Sequence, residues 1–156
     1  MRIAVLGAGS WGSALAQVLS ENKKTSITIL HHNAYYDTHS HFKYFSEIII
    51  PKEINITSNK NDIIDADIFF IVQPTKVINE TLNWINKYST SNSPIIVNCS
   101  KGFDYKSKMT FYQLVSKEFP RLKDTYCILS GPSHAEEVVN KLPTAVVVAS
   151  NNISNA

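Results

Sequence analysis

Arginine is almost missing from this chain of 156 residues; only Arg2 and Arg121 occur. The formal net charge is +2, which gives no strong field of either sign. Proteins that grip a phosphate backbone cluster arginine and lysine on one face, so no nucleic-acid partner is expected. Cysteine is scarce as well. Cys99 and Cys127 lie in apolar, strand-like runs, with no His or Cys partners at ligand spacing. They read as buried free thiols in a reducing compartment, with no metal site and no disulfide framework. Long hydrophobic runs are absent. The longest, Ile68–Val72 and Ala145–Ala149, are far too short to span a membrane. The first strand-like run starts at Arg2, which leaves no room for a signal peptide and makes the expected location cytoplasmic. Repeats and low-complexity linkers are missing too.

What is present is enough apolar residue for a packed core. Hydrophobic residues make up 44% and charged residues 18%, a balance that excludes disorder and suits one ordinary domain. The runs alternate in type. Arg2–Leu6 reads as a buried strand ending at glycines. Trp11, Ala14, Leu15, Val18 and Leu19 then recur at the spacing of one helical stripe, and Ser26–Leu30 reads as a second strand. Strand, helix and strand within about 30 residues form a βαβ unit with parallel strands. Further strands are expected at Ile54–Thr57, Ala66–Val72, Pro94–Asn98, Thr125–Leu129 and Ala145–Ala149. Helices are expected from Pro74 to about Tyr88, over Thr110–Glu118 and over Ser133–Asn140. The stretch His31–Pro51 has no clean periodicity. The alternation predicts an α/β fold of the Rossmann type, a doubly wound and mostly parallel sheet flanked by helices. Residues 1–150 would form the domain and residues 151–156 a polar tail.

Four segments carry candidate chemistry. The first is Gly7-Ala8-Gly9-Ser10-Trp11-Gly12, between the first strand and an amphipathic helix. In that context Gly7 permits a tight turn, Gly9 lets backbone approach a pyrophosphate, and Gly12 lets the helix pack close to the strand. The helix start offers free N–H groups to the anion. A flavin or another nucleotide could use the same turn. The second is Leu30-His31-His32-Asn33, about 20 residues past Gly12, where an acidic residue would hold the ribose diol of NAD. No carboxylate is present there. His32 could accommodate a 2′-phosphate, with less fixed geometry than arginine; His31 is expected as a solvated loop residue.

The third segment is Cys99-Ser100-Lys101-Gly102, at a strand end that faces the ligand crevice of a parallel sheet. Lys101 could reach a phosphate or polarise a carbonyl there, or could simply be solvated. The fourth is Ser130-Gly131-Pro132-Ser133-His134-Ala135-Glu136. Ser133 and Glu136 have capping-box spacing, so Ser133 is expected to start a helix whose N-terminus is a second anion-friendly site. A plain strand–helix turn is the alternative. His134 has no fixed carboxylate partner, and His39 and His41 are expected to face solvent.

Gly7–Ala16 (GAGSWGSALA), Ser100-Lys101-Gly102 (SKG), and Ser130–Glu137 (SGPSHAEE) together resemble the NAD(P)-dependent glycerol-3-phosphate dehydrogenases. Ile50–Thr57 (IPKEINIT) and Ala66–Pro74 (ADIFFIVQP) match more loosely. The resemblance implies hydride transfer between NAD or NADP and dihydroxyacetone phosphate or glycerol 3-phosphate, in phospholipid synthesis. It also implies roles. Gly7, Gly9, Ser10, Trp11, Gly12, His32 and Ala135 would contact cofactor. Lys101 would touch cofactor and substrate, and Gly131 and Ser133 would contact substrate. The family usually has Arg where His32 stands, Thr at Ser100, and Val-Pro-Ser in place of Val72-Gln73-Pro74. Its catalytic base is a lysine in a C-terminal helical domain, ahead of which this sequence stops. The chain alone is therefore expected to be inactive, as a shortened form or as one part that a further domain or a homo-oligomer completes. Two other readings are a non-catalytic NAD(P)-binding remnant and the Rossmann domain of a ketopantoate or nucleotide-sugar dehydrogenase.

Overall fold

The computed structural model describes Met1–Ala156. Its strands are β1 (Arg2–Leu6), β2 (Ser26–Leu30), β3 (His41–Phe42), β4 (Phe45–Ile49), β5 (Ile54–Thr57), β6 (Ile68–Ile71), β7 (Ile95–Asn98), β8 (Tyr126–Ser130) and β9 (Val147–Ser150). Its helices are α1 (Ser10–Ser20), α2 (Thr75–Tyr88), α3 (Phe111–Glu118) and α4 (Ala135–Val139). Seven strands form one sheet in the order β5-β2-β1-β6-β7-β8-β9. All pairings are parallel except the last, between β8 and β9. Counting only the parallel strands gives the 3-2-1-4-5-6 order of a dinucleotide-binding sheet, with the reversal of direction between β1 and β6.

Both faces of the sheet are covered, and the side chains of β1 show it. Ala4 and Leu6 point into a cluster built with Ile78, Leu82 and Ile85 of α2 and Leu114 of α3. Ile3 and Val5 point the opposite way, into a cluster with Leu15 and Ala16 of α1 and Phe42 of β3. Period-two alternation with apolar residues at every position is the mark of a strand buried on both sides.

The buried face of α1 is not the stripe that the spacing predicts. Gly12, Ser13, Ala14, Leu15 and Ala16 face inward, while Val18 is exposed and Trp11 half-buried. The first turn comes so close to the end of β1 that Gly12 is required there, Leu15 and Ala16 pack with β1, and Ala14 faces α4. Near the end of α1 the Thr25 hydroxyl reaches Leu19 O at 3.2 Å, and it shares its proton with Asn22 O of the following turn at 2.8 Å.

Two further expectations need correction. The capping box does not form at Ser133. α4 begins at Ala135 and has only five residues, with His134 as its N-cap and no side-chain cap. The Ser133 N–H donates instead to Gly131 O at 3.0 Å, in the tight turn that Pro132 enforces. Glu136 and Glu137 in the first turn of so short a helix leave it no anion-friendly end. The capping box in this chain is at Thr110 and Gln113, at the start of α3. The irregular stretch, in turn, contains a 3-10 turn at Ala34–Asp37 and a two-stranded antiparallel hairpin, β3–β4. Both thiols are free, and burial pushes the Cys99 thiol up to about 12. No helix is long and apolar enough to cross a membrane.

Close packing at the start of α1 gives a test. A Cβ on Gly12 would lie 2.0 Å from Gly7 O, a backbone atom, whereas a Cβ on Gly9 would meet nothing within 4 Å. In urea unfolding, Gly12→Ala is expected to lose at least about 1–3 kcal/mol, as overpacking of a rigid contact does. Gly9→Val should lose no more than about 1 kcal/mol, the difference in helix capping. Equal losses in the two proteins would refute this account of the turn.

Candidate functional site

The main crevice lies where the sheet order reverses, outside the carboxyl ends of β1, β2 and β6. Its volume is about 540 Å³, within the range of small-molecule sites. The floor is Leu6, Gly7, Ala8 and Gly9 after β1, and the walls are Leu30 to Asn33 after β2 and Val72 to Pro74 after β6. Tyr44, Lys60 and Trp84 close the rim.

The glycine turn is built for this position. Gly7 has φ +122, and a Cβ there would lie 2.3 Å from Val72 O, so only glycine lets β1 turn beside β6. Gly12 seats α1 against the turn, as above. Gly9 serves no intramolecular contact. Its N–H also finds no hydrogen-bond acceptor in the protein, since the first bond of the helix runs from Ser13 N to Gly9 O at 2.9 Å. Open space and an unpaired N–H at the mouth of the helix fit a ligand phosphate placed there.

The two histidines after β2 divide. His32 is exposed and lines the crevice. His31 is not the solvated loop residue that the sequence suggests. It is 5% exposed, with the Asn33 N–H donating to its Nδ1 at 3.2 Å and its Nε2 4.0 Å from Asp37 Oδ1. It also makes an edge contact with Tyr36. No carboxylate stands beside His32 in the crevice wall formed after β2.

Lys101 is exposed just past β7, on the same edge of the sheet. It is not part of the crevice wall, but the residue before it is tied to that wall. The Ser100 hydroxyl donates to Gln73 O at 2.7 Å and accepts from Gln73 N at 3.2 Å. Asn98 holds the other side, its Oδ1 accepting from Ser100 N at 3.0 Å and its amide donating to Ser100 O at 3.3 Å. The Thr81 hydroxyl donates to Gln73 Oε1 at 2.7 Å, so Gln73 is fixed at both ends. The residue that departs from the family pattern thus has a structural task, to lock the β7 loop onto the β6 loop.

The remaining candidates follow α1 and β8. Ser10 opens the helix at the turn, whereas Trp11 packs sideways against the α1 and α4 clusters and lines a second, apolar groove with Leu129, Leu142 and Val146. Ala135 is buried against Ala14 and Val139, so its methyl faces protein rather than ligand. Gly131 is required by the fold itself: a Cβ there would lie 2.5 Å from Ala145 O. Ser133 is in the turn just ahead of α4. Sequence reasoning missed Tyr44, Lys60, Gln73 and Trp84 as wall residues. Lys60 and Trp84 stand together, with Nζ 5.6 Å from the ring centroid. Gln73 lies in the Ala66–Pro74 segment, where no role was expected of it; no motif marks Tyr44, Lys60 and Trp84, because tertiary packing brings them to the crevice from separate elements.

Comparison with known proteins fits this geometry. Residues 2–156 match the family described as "NAD-dependent glycerol-3-phosphate dehydrogenase N-terminus". A glycerol-3-phosphate dehydrogenase [NAD(P)+] of Bacillus pumilus is 37% identical over 161 residues, covering 99% of this chain and 46% of that protein. One of Orientia tsutsugamushi is 35% identical over 153 residues, with 96% and 46% covered. The crystal structure of glycerol-3-phosphate dehydrogenase from Coxiella burnetii superposes with a TM-score of 0.83 at 26% identity, covering 98% of this chain and 47% of that one. The chain thus spans about half the length of the relatives it matches. It belongs to the NAD-dependent glycerol-3-phosphate dehydrogenase family and corresponds to its N-terminal part.

Proposed function

We propose that this chain is the NAD(P)-binding part of a glycerol-3-phosphate dehydrogenase. The observation that carries the reading is Gly9, with its free N–H and open Cβ position in a crevice at the reversal of the sheet. Gly7, Gly9, Ser10 and Gly12 form the pyrophosphate seat, and His32 stands at the adenosine ribose. Bound there, the dinucleotide supplies the hydride that interconverts dihydroxyacetone phosphate and glycerol 3-phosphate. Lys101 holds the substrate and polarises its carbonyl, a task for which a compact ammonium at the carboxyl edge of the sheet is suited. Gly131 and Ser133 supply main-chain and hydroxyl contacts to the same substrate, and Trp11 and Ala135 support the cofactor seat by packing α1 on α4. The reaction belongs to phospholipid precursor synthesis in the cytoplasm. The proton-transferring base is assigned to the part of the relatives' length that this chain does not span.

Three measurements test this reading. NADH titrated by fluorescence is expected to bind the chain, and Gly9→Val is expected to weaken it at least about tenfold, since the side chain fills the space through which the pyrophosphate approaches the backbone donors. Equal affinity for the two proteins would refute the binding mode. Second, the site after β2 offers NAD no carboxylate and NADP no guanidinium, so affinities for NADH and NADPH should be similar. His32→Arg supplies a fixed fork of donors and should raise the NADPH/NADH affinity ratio by about tenfold. An unchanged ratio would remove His32 from the 2′ position. Third, NADH oxidation with saturating dihydroxyacetone phosphate should be at least about 10² to 10⁴ slower than for a full-length relative, because general acid–base help is missing. A rate equal to that of the relative would place the base within these 156 residues.

A further inference from the structure

We infer that Tyr36 is a positioning residue for the cofactor pyrophosphate, acting through the peptide unit between Ala8 and Gly9. This rests on the cofactor reading above and adds a residue from the stretch without clean periodicity.

The Tyr36 hydroxyl donates to Ala8 O at 3.1 Å and accepts from Lys43 N at 3.3 Å. The direction of both bonds is fixed. A main-chain N–H can only donate, and a phenol has one proton, so that proton goes to Ala8. Ala8 O has no other partner. Continuation of α1 by one residue would bring Gly12 N–H to it, but the helix begins with the Ser13 bond to Gly9 instead. The phenol ring is itself held, with edge contacts to His31 at 5.4 Å and to Tyr35 at 5.3 Å between centroids.

The consequence lies on the far side of one peptide bond. In a planar trans peptide the carbonyl of Ala8 and the N–H of Gly9 point in opposite directions. The chain contains no cis peptide. Holding Ala8 O toward Tyr36 therefore aims Gly9 N–H the other way, and that N–H has no acceptor in the protein. Gly9, on the far side of this peptide unit, has no Cβ to resist its rotation. Without the tyrosine bond, the anion-facing N–H would have to be oriented at the moment of binding. With it, the donor is fixed in advance, at the cost of ordering residues 34–45, which the same hydroxyl ties to the β3–β4 turn through Lys43.

Tyr36→Phe removes the hydroxyl and keeps the ring contacts. With the full chain, affinities for NADH, ADP and adenosine separate a pyrophosphate effect from general loosening. NADH and ADP should bind about three- to tenfold more weakly to the variant, the usual worth of one hydrogen bond, and adenosine equally well. In ¹H–¹⁵N spectra, the shift of the Gly9 amide on adding ADP should be large in the wild type and reduced in the variant. Unchanged ADP affinity, or the same loss for adenosine as for ADP, would overturn the assignment of Tyr36. A wild-type chain that fails to bind NADH would instead strike down the cofactor reading, and this inference with it.

Discussion

The contact between Gly7 and Gly12 governs the rest of the molecule. A methyl on Gly12 would sit 2.0 Å from the Gly7 carbonyl oxygen, so the first turn of α1 rests directly on the backbone that ends β1. That approach decides which face of α1 turns inward: Leu15 and Ala16 pack with β1, and Ala14 turns to α4. It also holds the open end of the helix at the reversal between β1 and β6, where its N–H groups look into the crevice. Nearly everything assigned to cofactor binding follows from how near one helix can come to one strand.

The edges of the crevice are then fixed by polar locks rather than by packing. Ser100 and Gln73 exchange two hydrogen bonds, and Asn98 and Thr81 brace them from either side. These groups satisfy loop backbone that would otherwise be left partly buried without partners. They also fix the relation between the β6 loop, which lines the crevice, and the β7 loop, which presents Lys101. A lysine proposed to hold substrate would need such support. Its own side chain is flexible and solvated, so its placement is inherited from the residue before it.

Much of this was legible in the sequence. The boundaries of β1, β2 and β5 coincide with the expected runs. For β1 the reason is physical: Ile3 to Leu6 are buried on both faces and apolar throughout, and glycine follows, whereas the edge strand β5 shows by alternation of Ile54 and Ile56 with polar residues. The roles of Gly7 and Gly12 were equally readable from their place between strand and helix. What failed was whatever depends on distant partners. Phe42 is fully buried and Tyr36 is tied to Ala8, yet the segment around them has no periodicity, because its order comes from single long-range contacts. His31 looked solvated for a different cause: its side chain is enclosed by the chain just after it, Asn33, Tyr36 and Asp37, once the 3-10 turn folds back. At Ser133 the correct residues stood at capping-box spacing, but Pro132 and the close approach of Gly131 to Ala145 shape the turn first, and the helix starts two residues later.

The three glycines of the turn also show how a binding site can be told from a merely tight fold. Gly7 and Gly12 are each required by the protein: put a side chain on either and it strikes backbone carbonyl. A structure that needed only to fold would explain both. Gly9 has no such cause. Its φ of −75 and ψ of −178 are open to any residue, its Cβ position is empty, and a Ser, Thr or Asp there would cap α1 with a side-chain oxygen. Folding stability alone therefore favours a different residue at position 9. The Ala8 carbonyl just before it is held by Tyr36 from 28 residues away, and so is the direction of the unpaired Gly9 N–H. A site that gives up a helix cap and fixes the orientation of a donor with no acceptor in the protein is shaped for an acceptor that arrives from outside.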